Sequence, residues 1–160
     1  MQAAGVRQVI DVRTVPRSRA NPQFNFDALG DELAPWQIGY GRVAELGGLR
    51  GRSRGVAPDV NGYWQNRSFH NYADYALSPE FEHGLDQLVA TASEQPTAIM
   101  CAEAVWWRCH RRIIADYLLL RGSSVIHLMG EGRSERASMT PAAQERDGHL
   151  VYPAEGTVPS

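Results

Sequence analysis

The fold and the candidate site of this chain are decided by residues 98–114, which run Ala98-Ile99-Met100-Cys101-Ala102-Glu103-Ala104-Val105-Trp106-Trp107-Arg108-Cys109-His110-Arg111-Arg112-Ile113-Ile114. The stretch begins as a short apolar run and ends with apolar residues at helical spacing, so it predicts a strand, a turn and a helix. Between them lie two cysteines, a glutamate, two tryptophans, a histidine and three arginines. Because such side chains are reactive or costly to bury, we expect the functional site at this turn.

Composition places the chain among globular proteins. Its 160 residues, 43% of them hydrophobic and 21% charged, suit a single α/β domain over residues 1–160. No apolar run approaches the roughly 18 residues that cross a membrane. The first residues lack the pattern of a secretory signal, and two cysteines are too few for a disulfide framework. We therefore expect a cytoplasmic protein that does not bind membranes.

The charge pattern points to selected arginines rather than to a basic surface. A net charge of −2 argues against a generally basic nucleic-acid binder. All 16 basic residues are arginine. Codon bias in a high-GC genome explains the absence of lysine, but it does not explain why the arginines cluster. The clusters favour planar guanidinium groups that bind phosphate or carboxylate.

Strand and helix patterns alternate along the chain. Strands are predicted at residues 6–12, 37–43, 97–101 and 124–128, and helices at residues 26–34, 69–76, 79–93 and from the turn to residue 121. The alternation predicts a three-layer α/β/α sandwich with a mostly parallel, Rossmann-like sheet. A loop rich in glycine and arginine spans residues 44–62. From residue 129 we expect an irregular tail, with a short helix at residues 140–144.

The predicted site lies where the parallel strands end, because their carboxyl ends meet at one edge of the sheet. The candidate catalytic residues are Glu103 and Asp11 as acid or base and Cys109 as nucleophile. A thiol near a helix start, among arginines, is expected to have a lowered pKa. The candidate ligand-binding residues, which supply donors to an anion or a ring for stacking, are Arg13, Ser18, Arg19, Trp107, Arg108, His110 and Arg111.

Structural alternatives stay open for each of these residues. Cys109 is equally well explained as a small core residue and Cys101 better so, and each carboxylate taken singly is better explained as the partner of an arginine. No metal site is predicted, because seven residues separate the two cysteines whereas structural zinc ligands are closely spaced. A disulfide between them is an alternative that a reducing cytoplasm disfavours.

Five motifs, in order over most of the chain, resemble those of one bacterial family. They are Asp11-Val12-Arg13 with Pro16, Ser18-Arg19 and Pro22; Leu46-Gly47-Gly48; Phe69-His70-Asn71-Tyr72-Ala73-Asp74-Tyr75; Cys101-Ala102-Glu103 with Cys109-His110-Arg111; and His127 with Thr140-Pro141. The family is the domain of unknown function 488. The resemblance implies an α/β fold and a site shared by the first and fourth motifs, but no reaction. Many members carry Lys-Asp-Pro-like residues after the glutamate, where this chain has Ala104-Val105-Trp106-Trp107, which implies a narrower pocket.

Three functions are consistent with these residues. The first is an enzyme acting on a phosphate-bearing substrate, such as a nucleotide or a nucleic-acid component, with the anion held by Arg13, Arg19, Arg108 and Arg111. The second is a non-catalytic module for nucleotides or nucleic acid, with bases stacked on Trp64, Trp106 and Trp107. The third is a scaffold built on internal ion pairs. The sequence names no cofactor or oligomeric state and does not decide between enzyme and binding module.

Overall fold

Strands and helices alternate through most of the protein, which confirms the α/β class. The computed structural model describes residues 5–13, 26–48, 50–53, 55–101, 109–128 and 133–154, without the side chains of residues 26 and 27. The helices are α1 (Phe26–Leu33), α2 (Arg67–Tyr75), α3 (Pro79–Glu94) and α4 (Arg111–Leu120). The strands are β1 (Gln8–Asp11), β2 (Gly39–Arg42), β3 (Thr97–Met100), β4 (Ile126–Leu128), β5 (Ser134–Arg136), β6 (Gln144–Arg146) and β7 (His149–Val151).

A parallel sheet with the order β2-β1-β3 carries the candidate site. In the central strand β1, Ile10 lies opposite Gly41 on one side and Ile99 on the other. Successive side chains of a strand point to opposite faces. Val9 accordingly packs with Leu29 of α1, whereas Ile10 joins the larger core cluster that contains residues of α2, α3 and α4.

Local sequence signals set the helix ends on that larger core. The Ser78 hydroxyl accepts a hydrogen bond from the amide of Phe81 at 3.3 Å, and Pro79 occupies the first turn, so α3 begins where predicted. Helix α2 begins at Arg67, before the predicted residue 69, because the Asn66 side chain caps it through the amides of Ser68 and Phe69.

The carboxyl-terminal end of α4 is a Schellman motif. Gly122 has a φ of 84°, its amide bonds to the carbonyl of Leu119, and the amide of Ser123 bonds to the carbonyl of Leu118. Only glycine adopts this left-handed backbone without strain. Gly122 therefore ends the helix, as its position in the sequence predicts.

The structure corrects the predictions for residues after 120. The fourth predicted strand, β4, does not extend the parallel sheet but pairs antiparallel with β5. Within residues 133–154, the described part of the tail, the chain is not irregular, because β6 and β7 form a second antiparallel hairpin. Residues 141–142 form a turn, and β6 begins at Gln144, so no helix lies there. The mostly parallel sheet is thus confirmed only for its three-stranded part, and the three-layer Rossmann-like arrangement is not confirmed.

The carboxyl-terminal hairpin completes the main core. Leu150 and Tyr152 are 2% and 0% exposed and join the cluster that includes Ile10, Tyr72 and Ile113. Since apolar burial stabilises by about 25 cal/mol per Å², residues late in the chain contribute directly to the stability of the parallel sheet and its helices.

Candidate functional site

The ends of two neighbouring strands bring the first and fourth motifs together. Asp11 lies opposite Met100 in the register of β1 and β3, and the amide of Val12 bonds to the carbonyl of Met100 at 2.9 Å. Cys101 follows Met100 directly, and the turn at Cys109 leads into α4. The predicted meeting of these motifs at the carboxyl edge is therefore observed for the residues that the structure describes.

Asp11 and Arg13 form a buried ion pair at this edge. The Nη2 atom of Arg13 lies 2.6 Å from Oδ2 of Asp11, Nε lies 2.9 Å from Oδ1, and the Arg13 amide donates to the same Oδ1. The hydroxyl of Tyr40 donates to Oδ2 at 2.5 Å. Both partners of the pair are at most 5% exposed, and the hydrogen bonds that Arg13 donates to Asp11 raise the pKa of its guanidinium. The carboxylate thus fixes the direction of Arg13.

Tyr40 is a site residue that the sequence did not reveal. It lies opposite Val9 in β2, which puts its ring on the same sheet face as Asp11, two residues further along β1. Burial, together with the hydrogen bond to Asp11, raises the pKa of Tyr40 to about 12. Its phenol therefore stays protonated and donates to Asp11. This contact depends on the pairing register of β1 and β2, and the sequence of neither strand determines that register by itself.

Cys109 lies among three hydrogen-bonding groups. Its Sγ atom is 2.6 Å from Sγ of Cys101, 3.4 Å from the amide of Arg111 and 3.5 Å from Nδ1 of His110. The contact with Cys101, followed by that with His110, lowers the pKa of the Cys109 thiol to about 4, although burial opposes the shift. The amide of Arg111 adds to the effect because it is the first donor of α4. These contacts favour the thiolate of Cys109 over its thiol.

His110 connects this thiolate to the parallel sheet. Its Nε2 atom lies 2.9 Å from the carbonyl oxygen of Val12, so Nε2 carries a proton and donates. Nδ1 therefore donates to Sγ of Cys109 only when the ring carries both protons, as an imidazolium paired with the thiolate. The ring packs at 4.9 Å from the ring of Tyr72, and a Cβ atom at Gly48 would lie 2.5 Å from Nδ1. Glycine at position 48 thus lets the backbone of the second motif approach the imidazole closely.

The third motif holds the second in place. The hydroxyl of Tyr72 donates to the carbonyl of Leu46 at 2.8 Å, and that of Tyr75 to the carbonyl of Glu45 at 2.6 Å. The guanidinium of Arg50 lies 3.8 Å from the ring centroid of Tyr75, and its Nε donates to the carbonyl of Gly47. The start of the glycine- and arginine-rich loop is thus fixed against α2, and the contacts of Arg50 are internal.

The structure describes only some of the remaining predicted site residues. Arg111 is half-buried at the first position of α4. Five candidates lie outside the described residues, and their roles stay predictions: Ser18, Arg19, Glu103, Trp107 and Arg108. The prediction of Trp64 as a base-stacking ring is not supported by its position, because Trp64 is 6% exposed and stacks on Phe69 inside the core. The stripe that contains Tyr72 and Ala73 is core, as its helical spacing indicates.

The described residues contain neither a cluster of metal ligands nor a helix that could span a membrane. Among residues 5–13, 26–48, 50–53, 55–101, 109–128 and 133–154, no three His, Cys, Asp or Glu side chains are grouped so as to hold a metal ion. Within the same ranges, every helix is too short or too polar to cross a membrane.

Together, fold and site define an α/β protein in which cysteine, histidine and arginine side chains meet at the carboxyl edge of a parallel sheet. The family described as "Domain of unknown function DUF488" matches residues 1–118, so the chain belongs to this family. Comparison with curated proteins and with solved structures gave no match. The family assignment confirms the resemblance seen in the motifs.

Proposed function

We propose that this chain is a cytoplasmic, thiol-dependent enzyme that acts on a phosphate-bearing substrate, such as a nucleotide or a nucleic-acid component. Its site would lie at the carboxyl edge of a three-layer α/β/α sandwich. The supporting observation is Cys109, whose Sγ lies 3.4 Å from the first amide of α4 and 3.5 Å from Nδ1 of His110. Donors that stabilise a thiolate make it available as a nucleophile, and the same positive end of a helix attracts an anionic substrate.

The roles follow from the chemistry of each side chain. Arg13 and Arg111, with Ser18, Arg19 and Arg108 from the predicted set, would hold the phosphate, because guanidinium groups bind its oxygens in pairs. The indole of Trp107 would contact the rest of the substrate. Glu103 is assigned as the acid or base. The hydrogen bonds that Asp11 accepts from Arg13 and Tyr40 support a positioning role for its carboxylate, which holds Arg13, over proton transfer.

The proposed reaction proceeds in two steps. Sγ of Cys109 attacks the phosphorus, the bond to the leaving oxygen breaks, and Glu103 gives that oxygen a proton. Water then attacks the phosphorus of the thiophosphate ester, Glu103 takes a proton from it, and the thiolate and inorganic phosphate are released. No cofactor is assigned to this reaction.

Phosphate release from a panel of nucleotides and sugar phosphates, with the thiols kept reduced, tests the proposal. We expect turnover by the wild type and a loss on the order of 10³-fold or more in Cys109→Ser. Glu103→Gln should lose turnover but keep binding. Arg111→Gln should weaken binding, whereas the matched variant Arg121→Gln, which changes a surface arginine bonded to Asp86, should not. Turnover unchanged in Cys109→Ser would overturn the proposal.

A second candidate function is a non-catalytic nucleotide or nucleic-acid binding module. It is favoured by the burial of Cys109, which is only 4% exposed, and of Asp11, which is fully buried. This function predicts binding of nucleotides that weakens steeply with salt, because binding releases counterions from phosphates. Binding of that kind without turnover of any panel compound would select it over the enzyme.

A further inference from the structure

Two sulfur atoms from different elements meet beside the predicted anion site. Sγ of Cys101, directly after β3, lies 2.6 Å from Sγ of Cys109, in the turn before α4. Both side chains are thiols, and the sequence contains no other cysteine. We propose that Cys101 and Cys109 are a redox pair that exchanges electrons with low-molecular-weight disulfides of the glutathione type.

Hydrogen bonds to Val12 hold the residue next to each cysteine in place. The carbonyl of Met100, next to Cys101, accepts the amide of Val12 at 2.9 Å. On the other side, Nε2 of His110, next to Cys109, bonds to the carbonyl of the same Val12 at 2.9 Å. The sequence neighbours of both cysteines are therefore bonded to Val12, the residue that follows β1. A disulfide needs side chains already directed at each other, and this pair meets that condition.

The two thiols differ in access and in charge. Cys101 is half-buried, whereas Cys109 is 4% exposed, so a disulfide arriving from solvent meets Cys101 first. The donors around Cys109 favour its thiolate. A stabilised thiolate next to Cys101 is suited to resolve a mixed disulfide and, in the reverse direction, to leave.

In the proposed exchange, Cys101 and Cys109 reduce one molecule of a low-molecular-weight disulfide, RS–SR, in two steps. Cys101 first releases its proton to solvent. Its thiolate then attacks RS–SR and forms a bond to one of the two sulfurs. The S–S bond of RS–SR breaks and RS⁻ is released. The thiolate of Cys109 then attacks Sγ of Cys101 and displaces the second RS⁻. The protein thus loses two electrons and the one proton of Cys101, and RS–SR becomes two RS⁻, which take up that proton and a second one from solvent to give two RSH. In the reverse direction an incoming thiol attacks Cys101, and Cys109 leaves as the stabilised thiolate.

This inference uses Cys109 but does not depend on any phosphate-bearing substrate. Oxidation would remove the thiolate that the proposed function needs, so the redox state would also switch that activity. The two proposals fail separately, because turnover is measured with reduced thiols and the redox pair is measured without substrate.

The test is the mass of the full-length protein after equilibration with graded mixtures of reduced and oxidised glutathione, followed by acid quenching. We expect the wild type to lose the mass of two hydrogen atoms without retaining glutathione, and peptide mapping to link Cys101 to Cys109. In Cys109→Ser the resolving thiolate is absent, so glutathione should accumulate on Cys101 to a level on the order of tenfold above the wild type. Cys101→Ser should bind less glutathione than Cys109→Ser, because the remaining thiol is buried.

Several outcomes would overturn the pair. One is a wild type that retains glutathione on one or both cysteines instead of losing two hydrogens. A second is a wild type that keeps both thiols in every mixture, and a third is a disulfide formed only between two protein molecules. These results require no variant, so the test holds even if a substitution prevents folding.

Discussion

At the scale of single residues, the fold changes the acid–base chemistry of the Cys109 thiol. Contacts with Cys101 and His110 lower its pKa from 9.0 to about 4. The expected result is a thiolate that forms as pH rises through about 4 and is lost in Cys109→Ser, measured by the ultraviolet absorbance of the thiolate. His110→Ala should raise the midpoint because it removes a donor. The exposed His83 provides the matched variant His83→Ala, which should leave the midpoint unchanged.

The same titration has a consequence for stability. A depressed pKa in the folded state means that the unfolded chain binds more protons between the two pKa values. The contribution of Cys109 to the free energy of unfolding is therefore fully present above the unfolded thiol pKa of 9.0 and is lost as pH falls through about 4. A thiolate midpoint at or above 9.0 in the folded protein would contradict the assigned environment.

The ion pair of Asp11 and Arg13 gives the second prediction at this scale. Arg13→Ala leaves a buried carboxylate without its cation, so we expect a loss of about 3–5 kcal/mol in the free energy of unfolding by urea denaturation. The surface pair of Arg121 and Asp86, at 2.7 Å but with Asp86 58% exposed, is the control, and Arg121→Ala should cost less than about 1 kcal/mol. The double variant Asp11→Ala/Arg13→Ala should lose less than the sum of the two single variants. Equal losses of unfolding free energy in Arg13→Ala and Arg121→Ala would contradict a structural role for the pair of Asp11 and Arg13.

At the scale of elements, two glycines differ in whether the helix requires them. Gly122 ends α4 with a φ of 84°, whereas Gly30 lies inside α1, and a Cβ atom at either position meets nothing within 4 Å. Gly122→Ala should destabilise by about 1 kcal/mol because of the left-handed backbone. Gly30→Ala should stabilise by about 0.5–1 kcal/mol because alanine loses less entropy in a helix. Thermal denaturation of the two variants should shift in opposite directions, and shifts of the same sign would be inconsistent with the helix ends described above.

The elements also show what a sequence reveals and why. Ser78 and Gly122 act through bonds to residues a few positions away, so the start of α3 and the end of α4 follow from local sequence. The partner of a strand is not local. The pattern of residues 126–128 is that of a strand, but it does not distinguish a fourth parallel neighbour from the antiparallel hairpin with β5.

The candidate site likewise has a part that local sequence predicts and a part that depends on contacts between distant segments. Strands that end in Asp11 and Cys101 predict a common edge, because parallel strands align their carboxyl ends. The hydroxyl of Tyr40 and the close approach of Gly48 to His110 depend on register and on packing between distant segments. No spacing in the chain encodes those distances, so sequence patterns identify the reactive residues but not the groups that orient them.

At the scale of the whole molecule, a buried polar network connects the family-matched part of the chain with its carboxyl-terminal hairpin. The match ends at residue 118. Beyond it, the hydroxyl of Tyr152 donates to Asp116 at 2.8 Å, and the amide of Tyr152 donates to Asn61 at 2.9 Å. Asn61 in turn donates to Asp74 of α2 at 2.7 Å. The hairpin is therefore part of the cooperative unit that supports α2 and α4.

Tyr152→Phe tests this connection because it keeps the ring and removes only the donor to Asp116. Burial raises the pKa of Asp116, so the contribution of this carboxyl to stability is full below its unfolded pKa of 3.8 and is lost as pH rises through the folded value. Without the tyrosine hydroxyl, ionised Asp116 keeps a buried oxygen unsatisfied, and we expect a loss of about 1–3 kcal/mol at about pH 8 in urea denaturation. The loss should shrink toward about pH 4, where the carboxyl is increasingly protonated. The control is Tyr63→Phe, which changes a half-buried tyrosine beside Trp64 and should lower the free energy of unfolding less at both pH values. Equal losses in the two variants would contradict a role of the hairpin in the stability of the core.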